Sequence, residues 1–169
     1  MSEVYTAIAS NESMPQKLQS LLYFEAIVVS SNVANRLINS EFVVLFMELL
    51  RVKKSPVLRV RLCSILGQLI RHSTVIENEL AESGVCQLLV ESVGDKNEKV
   101  RRKAISALGE YLFYAATQLD DEQADPCWEI PQSAISMVTK VLRTSEDEVV
   151  RFYACKTLEN ITAQSVLAG

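Results

Sequence analysis

Few side chains in this 169-residue chain have types and spacings suited to covalent or metal chemistry. His72 is the single histidine, and neither a serine nor a cysteine nucleophile accompanies it in a recognisable triad order. The four cysteines form no C-x-x-C pair, and His72 has no other ligand type at metal spacing. The sequence therefore predicts no catalytic residue, no metal site, no cofactor and no small-molecule substrate.

The closest approach to a carboxylate pair is Asp120 next to Asp121, within the segment LDDEQADPCWEIP at 119–131. Two prolines and several acidic side chains break a helix and favour a surface loop, in which both carboxyls stay solvated. We interpret this segment as an insertion within a structural repeat. An electrostatic docking loop is the alternative interpretation.

One sequence pattern, which we call the phrase, occurs three times and starts at Ser55, Asn97 and Asp147. The helices that it predicts must position any functional site. Each of these residues is a favourable helix N-cap, because its side-chain oxygen can accept a bond from the first-turn amides. Apolar residues follow at spacings of four, four and three, which places them on one helical face. The three rows are Leu58, Leu62, Leu66 and Leu69; Val100, Ala104, Leu108 and Tyr111; and Val150, Ala154, Leu158 and Ile161.

The period of this phrase predicts a helical repeat. Arg101 lies 42 residues after Arg59, and Arg151 lies 50 residues after Arg101, close to the roughly 40–47 residues of a HEAT or armadillo unit. Shorter apolar segments with breaks at Ser40 and at Ser83-Gly84 precede the first two copies of the phrase and supply the remaining helices.

These elements predict one all-α domain over 1–169, which we interpret as a fragment of a longer solenoid. The expected parts are a partial or first repeat at 14–50, repeats at 55–93 and 97–142 with the insertion near 119–131, and a last helix at 147–165.

One run, SGVCQLLVESVGDKNEKVRRKAISALGEYL, resembles an armadillo repeat, whose last helix ends in A-L-x-N-L. The corresponding endings here are I-L-G-Q-L, A-L-G-E-Y and T-L-E-N-I. The resemblance covers about 33–163. It implies a right-handed, superhelical armadillo-like solenoid of about three repeats that presents surface to a protein partner.

A narrower resemblance concerns 125–161, DPCWEIPQSAISMVTKVLRTSEDEVVRFYACKTLENI. This segment resembles the repeat region of the Unc-51-like kinase 4 family, of the Fused/Runkel type. The resemblance implies a long parent protein with an N-terminal kinase-like domain and a link to microtubules and cilia. The chain itself contains no glycine-rich phosphate loop, H-R-D or D-F-G, so we expect no enzymatic activity from it.

The armadillo resemblance also points to Gln68, Glu110 and Asn160, which align with the asparagine of that ending. In the family this amide grips the backbone of an extended peptide, since it offers a donor and an acceptor together. Asn160 alone keeps the asparagine. A helix or a folded domain is therefore as plausible an occupant as a peptide.

Arg59, Arg101 and Arg151 form a second aligned row, one per repeat. Such arginines bond carboxylates or carbonyls of an adjacent unit through their rigid fork. The alternative is a basic stripe that binds an acidic partner.

The remaining candidates are apolar. An aromatic set is expected to lie mainly in the core, with an interface role as the alternative. Its members are Tyr111, Phe113, Tyr114, Trp128, Phe152 and Tyr153.

Cys63 and Cys155 share one repeat position, where the middle copy has Ile105, and both are predicted to be small buried apolar residues.

Composition narrows the function class. A net charge of −4 disfavours nucleic-acid binding. The N-terminus lacks the features of a secretory signal, and the run at 42–47 is too short to span a bilayer, so we expect a cytoplasmic protein. We therefore predict that the chain is a non-catalytic protein-protein interaction scaffold whose partner is another protein. A general armadillo or HEAT adaptor or regulatory subunit, unrelated to kinases, is the alternative.

Overall fold

The computed structural model describes residues 2–10, 13–119 and 125–167. The helices are α1 (Ser2–Ala9), α2 (Met14–Ile27), α3 (Ser31–Ile38), α4 (Glu41–Val52), α5 (Pro56–His72), α6 (Asn78–Glu82), α7 (Val85–Val93), α8 (Glu98–Gln118), α9 (Gln132–Thr144) and α10 (Glu148–Leu167), with a 3₁₀ turn at Pro126–Trp128. Within these ranges there is no strand, and the all-α class is confirmed. Residues 120–124 of the predicted insertion, which include Asp120 and Asp121, lie outside the described residues.

The long helices α5, α8 and α10 begin at the predicted caps. The side-chain oxygens of Ser55, Asn97 and Asp147 accept the amide three residues further on, at 3.4, 3.2 and 3.4 Å respectively. Pro56 occupies the first turn of α5, where its missing amide hydrogen costs no helical bond. The breaks are also where they were expected, because Ser40 caps α4 and Gly84, with φ of 82°, turns the chain from α6 into α7.

The helices form two layers. In one layer α2, α5, α8 and α10 lie side by side, and in the other α4, α7 and α9 do so. The layers meet where α4 packs on α5, α7 on α8 and α9 on α10. The apolar rows of α5 and α8 are fully buried between them, whereas in the α10 row Val150 and Ala154 are buried and Leu158 and Ile161 are half-buried.

Two glycines allow the long helices to approach closely. A methyl group at Gly67 would lie 3.1 Å from Cα of Ala107, and one at Gly109 would lie 2.5 Å from Oγ1 of Thr157. Gly67 and Gly109 occupy the same position in their copies of the phrase, and Ala107 and Thr157 also share a position. The contact between α5 and α8 therefore recurs between α8 and α10. The spacing of α5, α8 and α10 therefore depends on a missing side chain at this position.

The aromatic set divides between core and surface. Tyr111 and Trp128 are buried, and their ring centroids lie 6.0 Å apart. Trp128 donates its indole hydrogen to Oδ1 of Asn78 at 2.9 Å, which satisfies its polar atom. The core prediction is wrong for Phe113 and Phe152, which are exposed.

The cysteine prediction is confirmed for Cys63 and wrong for Cys155, whose side chain is exposed. The cause is a difference in flanking helices. In the described part of the chain, α5 has α2 to α4 on one side and α8 on the other, whereas α10 packs mainly on α8 and α9. A repeat position that is interior in α5 is therefore a surface position in α10.

None of the helices in the described ranges combines the length and the apolar character needed to cross a membrane.

We expect Gly109→Val to lower the free energy of unfolding by at least about 2 kcal/mol, because the valine would collide with α10 in a closely packed interface. Urea denaturation monitored by circular dichroism measures the change. Gly94→Val is the matched control, since Gly94 is exposed with negative φ and a methyl group there meets its nearest atom at 3.4 Å. Equal losses in the two variants would contradict the close-approach interpretation.

Thiol labelling of the native chain should modify Cys155 and leave Cys63 intact. Cys63 is fully buried, and burial raises the pKa of its thiol to about 12, so little reactive thiolate forms. Mass spectrometry after iodoacetamide treatment measures the modification of each site. Denaturant should make Cys63 react, and early labelling of Cys63 in the native state would show that α5 is not enclosed as described.

Candidate functional site

Gln68, Glu110 and Asn160 lie in a row across α5, α8 and α10. A cavity of about 190 Å³ between α5 and α8 is lined by Gln68 and Glu110 among others. A smaller one, about 30 Å³, lies between α8 and α10 and is lined by Glu110 and Asn160. Because Glu110, Ser106 and Tyr153 border both cavities, we treat the two as one surface feature, the polar groove.

A second row of residues, which was not predicted from the sequence, also lines the polar groove. Ser64, Ser106 and Lys156 occupy one repeat position, four residues before the first row, and all three line the groove. Nε2 of Gln68 donates to Oγ of Ser64 at 3.4 Å, which links the two rows. The four-residue spacing was the available signal, since residues at i and i+4 share a helical face.

The first row has spare hydrogen-bonding capacity. Within the described part of the chain, neither the Asn160 amide nor the Glu110 carboxylate forms a hydrogen bond or an ion pair with another side chain. An amide offers two donors and an acceptor, and a carboxylate offers acceptors only. The polar groove can therefore bind both polar groups of a partner's backbone.

Positive side chains surround Glu110. Arg71 and Lys103 line the larger cavity and Lys156 the smaller one. Burial raises the pKa of the Glu110 carboxyl, and the charges of Arg71, Lys156 and His72 offset only part of that rise. A partner carboxylate would meet these cations, while a partner cation would meet Glu110.

Arg59 and Arg101, from the second predicted row, bind the loop that precedes α8. Arg59 donates Nε and Nη2 to the two carboxylate oxygens of Asp95, at 2.9 and 3.2 Å, and Nη1 to the carbonyl of Lys53 at 2.9 Å. Arg101 donates Nη1 to the carbonyls of Asp95 and Lys96, both at 3.0 Å. Two consecutive long helices therefore hold Asp95.

Arg151 does not repeat this arrangement. Its side chain is about half exposed and approaches Glu148 at 3.9 Å. Between α8 and α10 the corresponding bond is made by Arg102, which follows Arg101 on α8. Its Nε donates to Oδ2 of Asp147 at 2.9 Å. The three aligned arginines thus have different surroundings, and the structure brings no basic stripe together from them.

The described residues contain no group of three or more His, Cys, Asp or Glu side chains arranged as a metal site would require.

Comparisons with known proteins include curated relatives that match almost the whole chain. Serine/threonine-protein kinase RUNKEL of Arabidopsis thaliana is 36% identical over 176 residues, which cover 96% of this chain and 13% of RUNKEL. Serine/threonine-protein kinase ULK4 of Mus musculus is 26% identical over 163 residues, covering 95% of this chain and 12% of ULK4. The chain thus spans about an eighth of the length of these relatives and resembles both.

A crystal structure of an engineered protein superposes on 99% of this chain and 67% of its own with a TM-score of 0.73, at 16% identity. This similarity concerns the fold alone. No protein-family profile matches the chain.

We expect Asp95→Asn to lower the free energy of unfolding by about 1 to 3 kcal/mol near neutral pH, since it weakens charge-assisted bonds. Burial acts to raise the pKa of Asp95, but the Asn97 amide and the Arg59 guanidinium hold it below its ordinary value of 3.8. The contribution is therefore present above that value and is lost as pH falls through the lower folded-state pKa. Urea denaturation at pH 7 and at pH 3 to 4 measures it.

The difference between wild type and Asp95→Asn should shrink toward acid pH. Glu129→Gln, at an exposed position, serves as the control and should be close to neutral throughout. A difference that grows as the pH falls would contradict the described role of Asp95.

Proposed function

We propose that this chain is a helical-repeat segment of a protein related to RUNKEL and ULK4, and that it is a non-catalytic scaffold for protein-protein interaction. Similarity to both relatives over nearly the whole chain supports the relationship. The absence from the sequence of a glycine-rich phosphate loop, H-R-D and D-F-G supports a role other than phosphoryl transfer. Purified chain that transferred phosphate would contradict the proposal.

The architecture we propose is a right-handed armadillo-like solenoid of about three repeats, divided at 14–50, 55–93, 97–142 and 147–165. The recurring packing of α4 on α5, α7 on α8 and α9 on α10 supports it. So does the contact that Gly67 and Gly109 make at the same repeat position.

The observation that carries the function is the row of Gln68, Glu110 and Asn160 along the polar groove. These side chains lie on three neighbouring helices, line adjoining cavities and keep unused hydrogen-bonding capacity. Such a row suits a protein partner, either an extended peptide or an element of a folded domain, that runs across α5, α8 and α10.

We further propose a cytoplasmic location, with microtubules or cilia as the setting. The resemblance to the Unc-51-like kinase 4 family supports this setting.

The test replaces Gln68, Glu110 and Asn160 together by alanine in the full-length parent protein. Partners are compared by affinity purification and quantitative mass spectrometry, and the dissociation constant is then measured for each partner that is lost. Because a few central residues carry most interface energy, we expect the dissociation constant to rise by at least about tenfold. The melting temperature should change little, since these side chains are partly exposed.

The matched control replaces the same three residue types on exposed surface away from the groove, as Asn32→Ala, Gln87→Ala and Glu91→Ala. It should retain every partner. If both triple variants keep or lose the same proteins, the polar groove is not the binding site.

A further inference from the structure

A second concave surface lies between α4 and α6, and it shares no residue with the polar groove. It encloses about 450 Å³, which is within the roughly 300–1,000 Å³ typical of ligand clefts. Its floor is apolar and consists of Ile38, Val43, Met47 and Leu80. Val44 stands at its edge with 53% of its surface exposed. We call this feature the acid-rimmed cleft.

Three carboxylates border the apolar floor of the acid-rimmed cleft. Glu41 extends from the first turn of α4, Glu77 precedes α6 and Glu79 lies within it, and all three are exposed. Among the described residues none of them forms a salt bridge, and the lining of the cleft contains no lysine, arginine or histidine. The charged side chains that line the cleft are therefore all negative.

Hydrogen bonds between repeats fix the walls of the cleft. Asn39 accepts the amide of Glu77 at 2.9 Å and donates to the carbonyl of Val75 at 3.0 Å. Asn35 accepts the amide of Thr74 at 2.8 Å, which holds the same loop to α3.

At the far end of the cleft, Nη2 of Arg51 donates to the carbonyl of Ser83 at 3.2 Å. The loop before α6 and the end of α6 are thus both tied to the preceding unit. Because the cleft is already formed, a ligand need not order it on binding.

We propose that the acid-rimmed cleft binds a short basic segment of another protein, one that inserts apolar side chains between flanking lysines or arginines. The apolar floor would bury the inserted side chains, which supplies affinity. The carboxylates of Glu41, Glu77 and Glu79 would meet the flanking cations, which supplies selectivity for sign of charge and speeds association. An acidic or purely polar segment fits neither part.

The probe is a labelled peptide with leucines at helical spacing separated by lysines, titrated by fluorescence anisotropy against the whole chain. Two comparison peptides carry glutamate for every lysine or serine for every leucine. We expect the lysine–leucine peptide to bind at least about tenfold more tightly than either, and binding to weaken as salt rises.

Two variants locate the binding. Glu77→Lys with Glu79→Lys should weaken binding at least about tenfold, and Val44→Asp should weaken it by a similar factor while leaving the melting temperature nearly unchanged. Glu91→Lys with Glu129→Lys makes the same change of net charge at exposed positions outside the cleft and should have a much smaller effect.

Several results would overturn the proposal. Equal losses in the two charge-reversal variants would indicate attraction by net charge alone, and equal binding of the serine peptide would remove the role of the apolar floor. Concentration-dependent dimerisation that Val44→Asp abolishes would assign the cleft to a second copy of the chain. None of these results bears on the polar groove, so this proposal and the proposed function can fail separately.

Discussion

Helix α5 lies against α8 at a distance set by the absence of a side chain at Gly67, and α8 lies against α10 at a distance set by Gly109. The rest of the structure depends on this spacing. It brings the apolar rows of α5 and α8 into full burial and places the aligned rows of polar residues on neighbouring helices close enough to border common cavities. In α10 the same position holds Glu159, so a helix could not approach that face of α10 as closely.

The polar groove results from the close spacing of the helices together with small and polar side chains at the positions where they meet. The residues at its base are small, with Ser64 on α5 and Ser106 on α8, so depressions remain between helices whose backbones nearly touch. Longer polar side chains, Gln68 and Glu110, then stand one turn further along the same helices. The groove consequently follows from the close packing of these helices, and its three aligned polar residues differ from one helix to the next, as Gln68, Glu110 and Asn160.

The sequence predicted what is local or periodic. Caps such as Ser55 and Asn97, and the apolar rows behind them, depend on neighbours in the same helix, so their spacing alone was sufficient. The bond between Arg59 and Asp95 and the tie between Asn39 and Glu77 join residues more than thirty positions apart.

Such contacts depend on how one group of helices is placed on the next, which no spacing within a helix encodes. The same limit explains Cys155, because its exposure depends on which helices flank α10 and not on its own position in the repeat. The acid-rimmed cleft also went unpredicted, since its floor combines side chains of α3, α4 and α6 and its rim combines Glu41 with Glu77 and Glu79, more than thirty positions further on.

Asp95 couples the local unfolding of α5 to that of α8. Its carboxylate is held by α5 and its carbonyl by α8, while its Oδ1 also accepts the amide of Asn97, the residue that caps α8. Detaching α5 would therefore release the loop that starts α8, and fraying the start of α8 would leave the Arg59 guanidinium without its carboxylate. Amide hydrogens in the two helices should then exchange with solvent through shared openings, so that α5 and α8 behave as one cooperative pair.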